Sequence, residues 1–174
     1  MPKIRVKFSF LLFNALIFIF RENALILGFY AACIIHEAGH ILAVYLTGGS
    51  VNCIEFSWMG IKITAAPLNS LKTAAFIQLC GPLANILAFL ILIAGGKGGY
   101  FAVFSLMEGL LNLLPYKFLD GGTILEILAD SSKKQREFRI FNSLLRVAFS
   151  TFLTIVFIFY YDKLNDTILT LLIN

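Results

Sequence analysis

Long apolar runs separated by short polar stretches dominate this chain. A helix needs about 20 predominantly apolar residues to cross a bilayer; the second and third runs reach that length, while the first and the last are short. The pattern predicts an all-α polytopic membrane protein with about six transmembrane or partly inserted segments. In chain order the runs are Ser9 to Phe20, Asn23 to Leu46, Leu71 to Ala94, Tyr100 to Leu114, Leu144 to Tyr161 and Thr167 to Ile173.

The connection between the second and third runs has a different pattern. Between residues 51 and 64, apolar residues partly alternate with polar ones, and Met59 and Gly60 have the composition of a turn. Period-two alternation on both sides of a turn favours a small β-hairpin between segments two and three. The alternative is an amphipathic interfacial loop with Trp58 as its anchor among the lipid headgroups.

Composition excludes an ordinary soluble domain. Hydrophobic residues make up 59% of the 174 residues, charged residues 14%, and the mean hydropathy is +0.87. Soluble domains average about 45–50% apolar and about 25% charged residues. We therefore expect a single membrane-embedded domain over residues 1–174, with no second soluble domain. The three cysteines are odd in number and lie mostly in apolar segments, so they indicate no disulfide framework.

Charge predicts the orientation of the chain. If the N-terminus is cytoplasmic, the basic residues on the outer side are Arg21, Lys97 and Lys163, and the other lysines and arginines lie inside. For loops this short, such a bias decides topology. The net charge is +4, and the basic residues form no clustered stripe along the chain. The expected partner is therefore the bilayer and not nucleic acid. The second run then passes from outside to inside.

The only two histidines of the chain lie in the second run, in the stretch HEAGH. On a helix His36 and His40 differ by about 40° in direction, so they share one face, while Glu37 points about 100° away from His36. This H-E-x-x-H spacing is typical of zinc proteases, in which the imidazoles bind Zn²⁺ and the glutamate acts as general base. Ionisable groups are costly in a membrane segment and indicate function. The alternative is a pair of core histidines that hydrogen-bond to carbonyls.

A catalytic zinc needs a third protein ligand and an open position. Asp120 has the strongest context among the remaining carboxylates, because it follows an apolar helix that Pro115 is expected to end and precedes two glycines that allow close backbone approach. Asp120 also suits the N-cap of a short helix through Ala129. The two roles are compatible, since one carboxylate oxygen can cap while the other binds a metal.

Three ordered motifs resemble those of the site-2 protease family of intramembrane zinc metalloproteases. They are HEAGH at residues 36–40, GPLAN at residues 81–85, and NLLP followed by LDGG within residues 112–122. The likeness covers roughly residues 1–160 and is greatest to the compact sporulation-type branch, which processes a membrane-tethered sigma-factor precursor. Members of that branch commonly have a proline where this chain has Phe118. We expect a minimal catalytic core without the C-terminal regulatory domain or the PDZ domain of other relatives.

The resemblance implies a role for each matching residue. His36, His40 and Asp120 would bind one Zn²⁺ ion, and Glu37 would activate water. Asn112 would contact the substrate or stabilise the oxyanion. The activity implied is hydrolysis of a peptide bond in or near a transmembrane segment of a membrane-tethered protein, in regulated intramembrane proteolysis.

Partners and location follow as expectations. The partners are a membrane-spanning protein substrate, the lipid bilayer and regulatory membrane proteins. The protein is expected to be a multi-pass protein of the cell membrane with its active site toward the cytoplasmic side. A short polytopic chain without a eukaryotic targeting pattern suits a bacterial inner membrane.

Residues near the motifs leave alternatives open. Gly81, Pro82 and Asn85 either open the third helix to water near the site, with Asn85 contacting the substrate, or form a kink and a buried interhelical hydrogen bond. Glu108 precedes Asn112 by one helical turn and either lines the same aqueous cavity or reaches into a wet gap between helices.

A transmembrane substrate hides its carbonyls in helical hydrogen bonds, so it must unwind before hydrolysis. The hairpin at residues 51–64 offers an edge to which an unwound segment can add as a strand. Two other classes of function compete with proteolysis. A metal transporter requires polar residues along several helices, and these are scarce; a non-catalytic helix-binding relative would have no need of Glu37.

Overall fold

The computed structural model describes residues 2–20, 23–57, 60–66, 70–132 and 135–173, the last nineteen by backbone alone. Within these residues the chain forms six helices and three strands, so the protein is mostly helical with one small sheet. The elements are β1 (Lys3–Val6), α1 (Phe8–Phe20), α2 (Asn23–Leu46), β2 (Val51–Ser57), β3 (Gly60–Ala65), α3 (Leu71–Ala94), α4 (Tyr100–Asn112), α5 (Asp120–Ser131) and α6 (Gln135–Ile173).

The chain divides into two compact units, residues 1–131 and residues 132–174. In the first unit α2, α3 and α4 pack on one another and α5 packs on α3. In the second, the described backbone is the single helix α6, which contains both the fifth and the sixth apolar runs. The expectation of a separate segment for each run is therefore wrong at this end of the chain. The single-domain interpretation stays a prediction.

Two of the described helices, Ala24–Leu46 and Leu71–Ala94, are long and apolar enough to cross a bilayer. The helices α1 and α4 have 13 residues each, which is about 20 Å at 1.5 Å per residue and less than the hydrocarbon thickness of about 30 Å. The prediction of six spans is therefore not confirmed.

The first unit has polar residues inside and large apolar residues outside. His36, Asn85 and Ser105 are buried, whereas Leu27 is 72% exposed and Ile91 is 63% exposed. In a soluble protein such an apolar exterior would be unstable in water. A lipid environment matches it, so the fold is that of a membrane protein.

Small residues bring the helices of the first unit into backbone contact. A Cβ at Gly39 of α2 would lie 2.5 Å from the carbonyl oxygen of Cys80 on α3, and one at Gly109 of α4 would lie 3.0 Å from that of Pro82. In lipid, helices associate through such close van der Waals packing rather than through burial of apolar surface. The glycines therefore set the short distances between α2, α3 and α4.

The predicted hairpin is confirmed in β2 and β3. The two strands pair in antiparallel register from Cys53 opposite Thr64 to Ser57 opposite Gly60. Side chains of β3 alternate between half-buried and exposed, as expected for a strand with one packed face. Trp58 and Met59, the predicted anchor and turn, lie outside the described residues.

A third strand, β1, pairs in parallel with β2, from Lys3 opposite Cys53 to Val6 opposite Phe56. This strand was not predicted, although apolar and basic residues alternate there with the period of a strand. The backbone N–H of Lys7 continues the pairing by donating to the carbonyl of Phe56 at 2.9 Å. A local pattern of four residues was too short to separate a strand from a basic lead-in to α1.

The sheet packs on α2 and α3 through a small apolar cluster. Ala43 and Val44 of α2, Val51 of β2 and Ile77 of α3 are buried together, and Ile63 of β3 packs against them. The sheet is thereby held near the C-terminal half of α2 and the N-terminal half of α3.

An ion pair fastens β1 to the sheet. The Lys7 ammonium lies 2.7 Å from Oε1 of Glu55 on β2, and this hydrogen bond holds the pKa of the Glu55 carboxyl below its ordinary value. A lowered folded-state pKa means that the stabilisation is complete above the unfolded carboxyl pKa of about 4.3 and is lost as the pH falls through the folded-state value.

We expect Glu55→Gln to speed amide hydrogen exchange in β1 at neutral pH, because it removes the charged partner of Lys7. Exchange measured by mass spectrometry in detergent micelles checks this, with Glu126→Gln as a control because Glu126 forms its ion pair with Lys117 instead. Equal protection of β1 in both variants and the wild type would contradict the role of the ion pair.

A candidate metal centre

The two histidines of HEAGH lie one turn apart on the inner face of α2. Both are buried, with 4% of His36 and 8% of His40 exposed. Their Nε2 atoms are 3.2 Å apart, because residues four apart on a helix stack on one face. The structure therefore presents two imidazole nitrogens to a single point between the helices.

Asp120 reaches the same point from α5. Its Oδ2 lies 3.0 Å from Nε2 of His36 and 3.3 Å from Nε2 of His40. Asp120 is the first residue of α5, and the first turn is closed by the N–H of Thr123 on the carbonyl of Leu119. The carboxylate thus faces the imidazoles, and the N-cap alternative is not what the structure shows.

The two glycines after Asp120 explain how α5 reaches this position. A Cβ on Gly121 would collide with the carbonyl of Leu113, and a Cβ on Gly122 would collide with that of Tyr116. The first turn of α5 therefore lies directly on the backbone that follows α4, which ends at Asn112. Only glycine permits this contact, so the LDGG sequence is required to bring the carboxylate inward.

His40 is oriented by α3. Its Nδ1 lies 2.8 Å from the carbonyl oxygen of Ile77, and since a carbonyl only accepts, Nδ1 carries the hydrogen and Nε2 keeps its lone pair in the neutral ring. The ring has room because residue 81 is glycine, where a Cβ would collide with Nε2 and Cε1 of His40. The glycine of GPLAN therefore makes space for a candidate ligand.

His36 is contacted by Asn85, whose side chain is 0% exposed and whose Nδ2 lies 3.3 Å from Nδ1 of His36. The helix α3 continues from Leu71 to Ala94 with Pro82 inside it. Of the two interpretations of GPLAN, the structure agrees with the buried interhelical hydrogen bond. The predicted contact of Asn85 with substrate stays a prediction, because its amide lies behind the imidazole.

The residues fit a bound cation. Oδ2 of Asp120 is buried and lies against both Nε2 atoms, of which that of His40 carries a lone pair. When His36 has its ring hydrogen on Nδ1, three electron-rich atoms face one point in an apolar interior, and they repel one another unless a cation lies among them. Two imidazoles and one carboxylate are a donor set of catalytic zinc sites, which keep a fourth position open. The candidate ligand atoms of His36, His40 and Asp120 all lie within 4.8 Å of one another.

The structure brings Glu37 close to this group but not into it. Its carboxyl group interacts electrostatically with His36, His40 and Asp120, while the group of candidate ligand atoms consists of those three residues. A base beside the metal ligands, and not coordinated, is the arrangement that H-E-x-x-H proteases use. Its catalytic role stays a prediction.

The side chain of Asn112 makes a hydrogen bond within its own helix. Its Nδ2 donates to the backbone carbonyl of Glu108, one turn earlier on α4, at 3.1 Å. The predicted contact with substrate or oxyanion stays a prediction. Glu108 itself is half-buried and interacts with Cys33 and Asn85, a connection for which the sequence contains no local signal.

The fold is similar to that of a solved membrane protease. The site-2 protease from Methanocaldococcus jannaschii matches 93% of this chain and 82% of that chain, with a TM-score of 0.62 and 19% sequence identity. The chain has a site-2 protease fold. No protein-family model matches it, and no curated protein sequence matches it. At 19% identity this similarity shows the fold alone. The role of each residue is therefore supported by the geometry of the site and not by the similarity.

We expect Gly81→Ala to weaken zinc binding by at least about tenfold, because the new methyl group displaces the His40 ring. Substitutions of residues that orient a metal ligand typically lower metal affinity about 10–100-fold. Competition with a chromophoric chelator on the detergent-purified protein measures it. Gly99→Ala is the matched control, since a Cβ there would meet nothing within 4 Å. Equal affinities of the two variants would contradict the packing argument.

Proposed function

We propose that the protein is an intramembrane zinc metalloprotease that hydrolyses a peptide bond in or near a transmembrane segment of a membrane-tethered protein. The observation that carries this proposal is the convergence of His36, His40 and Asp120. These residues meet inside a helical unit with an apolar exterior, in a chain with a site-2 protease fold. Histidine and carboxylate ligands in a lipid-embedded unit, with a glutamate beside them, match the needs of amide hydrolysis.

In this mechanism the chain holds the reactants and moves protons. Zinc, when bound, polarises a peptide carbonyl and makes water nucleophilic near neutral pH. Glu37 takes a proton from the attacking water and then delivers it to the leaving amine nitrogen as the C–N bond breaks. His36, His40 and Asp120 hold their positions throughout, which avoids reorganisation in the transition state. The amide of Asn112 would donate to the oxyanion after leaving the Glu108 carbonyl.

A Glu37→Gln variant tests the assignment of activity. We expect it to retain zinc, since Glu37 is outside the ligand group, and to lose cleavage of a co-expressed single-span reporter by a factor of about 10²–10⁴, the usual worth of a general base. Metal analysis and reporter cleavage are measured on the same preparations. Glu126→Gln, at a half-exposed position paired with Lys117, is the control that should cleave like the wild type.

A Glu37→Gln variant that still cleaves, or a purified wild type that retains no zinc, would contradict this function. Metal transport is the competing class, and it requires ligands spaced along several helices. Within the described residues one His/Cys/Asp/Glu group can hold an ion, which favours a single fixed centre over a path.

The free edge of the sheet is the proposed docking site for an unwound substrate segment. Among the described residues β3 pairs on one side only. The carbonyl of Phe56 accepts from Lys7 on the β1 side, so the pair of Phe56 and Ile61 belongs to the non-hydrogen-bonded positions of the β2–β3 ladder. The backbone groups of Ile61 therefore point outward and are available for strand addition.

The sheet is connected to the candidate metal centre through Ile77. Ile77 packs its side chain in the cluster that holds Val51 and Ile63, and its carbonyl accepts the hydrogen bond from His40. The sheet that would receive the substrate strand therefore packs on the residue that orients a proposed zinc ligand.

Replacing Ile61 by proline removes one outward N–H without touching a hydrogen bond of the β2–β3 ladder. We expect Ile61→Pro to reduce reporter cleavage severalfold while zinc affinity is retained. Ile61→Val, which preserves the N–H and the β-branched shape, is the control. If the proline variant cleaves as fast as the valine variant, the docking role is wrong.

Orientation, partners and origin extend the same proposal. We place the N-terminus and the active site toward the cytoplasm in a multi-pass arrangement, in the inner membrane of a bacterium, as one catalytic domain. A membrane-spanning protein is the substrate, and regulatory membrane proteins are further partners. Membership of the sporulation-type branch would make the substrate a tethered sigma-factor precursor; the motif order supports that branch, and Phe118 departs from it.

A further inference from the structure

Glu108 occupies an inner position of α4 without a role in the mechanism above. Oε2 of Glu108 is buried without a hydrogen-bond partner among the described residues, and the carboxyl group interacts with the Cys33 thiol on α2 and the Asn85 amide on α3. The next residue, Gly109, lets the backbones of α3 and α4 meet, since a Cβ there would lie 3.0 Å from the carbonyl of Pro82 and 3.3 Å from Cβ of Asn85. This close approach brings the segment of α4 that carries Glu108 against α3 beside Asn85.

Asn85 connects Glu108 to a candidate zinc ligand. Its amide contacts Nδ1 of His36 at 3.3 Å, on the side of the ring opposite to Nε2, which faces Asp120. An amide has one acceptor oxygen and two donor hydrogens, so it can accept from Nδ1–H of His36 and also donate to the Glu108 carboxyl.

The Oδ1 atom of Asn85 indicates which way the amide is turned when His36 binds a metal. With Nδ2 toward His36, Oδ1 of Asn85 is buried without a hydrogen-bond partner, which is costly in an apolar interior. A half-turn of the amide presents Oδ1 to Nδ1–H and leaves the Nε2 lone pair directed at Asp120. The charge and position of Glu108 favour the amide hydrogens on its own side.

The two histidines are supported in different ways. His40 donates to a backbone carbonyl, that of Ile77, which no side-chain substitution removes. For His36, Asn85 is the hydrogen-bond partner at Nδ1 among the described residues. The aim of the His36 ring therefore depends on side chains from α3 and α4.

We propose that Glu108 is a positioning residue of the metal centre: it holds the Asn85 amide, and the amide fixes the rotation and tautomer of His36. This inference depends on the proposed zinc site. Histidine ligands almost always donate their other ring N–H to an oriented partner, and loss of such partners lowers metal affinity about 10–100-fold. Rotation of the imidazole about its χ2 bond is otherwise broad. Without a hydrogen bond at Nδ1, the His36 ring would therefore not be held with Nε2 toward the metal position.

The test uses the detergent-purified full chain loaded with Co²⁺, whose visible ligand-field spectrum reports on the geometry of its ligands. Glu108→Met is nearly the size of glutamate but cannot accept the amide hydrogen bond, whereas Glu108→Gln can. We expect Glu108→Met and Asn85→Ala to weaken Co²⁺ and Zn²⁺ binding about 10–100-fold and to alter the spectrum. Glu108→Gln should stay within a few-fold of the wild type, and Glu126→Met is the matched surface control.

A double variant separates positioning from general loss of stability. If Glu108 acts through Asn85, Glu108→Met combined with Asn85→Ala should bind metal no more weakly than Asn85→Ala alone, because interacting residues are non-additive. Additive losses, equal affinities of the Gln and Met variants, or an unchanged Co²⁺ spectrum would each overturn the proposal.

Failure of the zinc site itself has a separate signature. A wild-type protein that binds neither Zn²⁺ nor Co²⁺ would remove the proposed function, and the role of Glu108 with it. Tight binding by the wild type and by every Glu108 variant would overturn the positioning role alone. Thermal unfolding of the metal-free variants identifies any that fail to fold. If Glu108→Met does not fold, Glu108→Gln is compared with the wild type, and a tenfold loss of metal affinity in this conservative variant would overturn the proposal.

Discussion

The arrangement of this molecule depends on one electrostatic constraint, the burial of two imidazoles and a carboxylate around a single point. His36, His40 and Asp120 are directed at each other with Nε2–Oδ2 distances of 3.0 and 3.3 Å in a unit that exposes leucine and isoleucine. Such a group is costly without a cation. The packed helices, the LDGG turn and the hydrogen-bond contacts of the two imidazoles with Ile77 and Asn85 all hold these three side chains in place.

Glycine is the main structural means. Gly81 leaves space for the ring of His40, and Gly121 and Gly122 allow α5 to lie on the backbone after α4. Gly39 and Gly109 bring α2, α3 and α4 into backbone contact. Since lipid provides little apolar driving force between helices, close packing of this kind both stabilises the fold and sets the distances among His36, His40 and Asp120.

The sheet and the candidate metal centre share a contact residue, Ile77. Ile77 packs against Val51 of β2 through its side chain and accepts from His40 through its carbonyl. Strand β1, fastened by Lys7 and Glu55, occupies one edge of the sheet and leaves the β3 edge for pairing. The sheet is therefore packed on the same segment of α3 that orients the ring of His40.

The sequence by itself determined the features that depend on local geometry. Helical periodicity stacks His36 on His40, and the alternating segments on either side of residues 58–59 pair as β2 and β3, because both features involve residues close in the chain. Only the tertiary structure decided that the Asn85 amide contacts His36 and that β1 pairs with β2. Both depend on packing between segments far apart in sequence, so no local pattern specifies them.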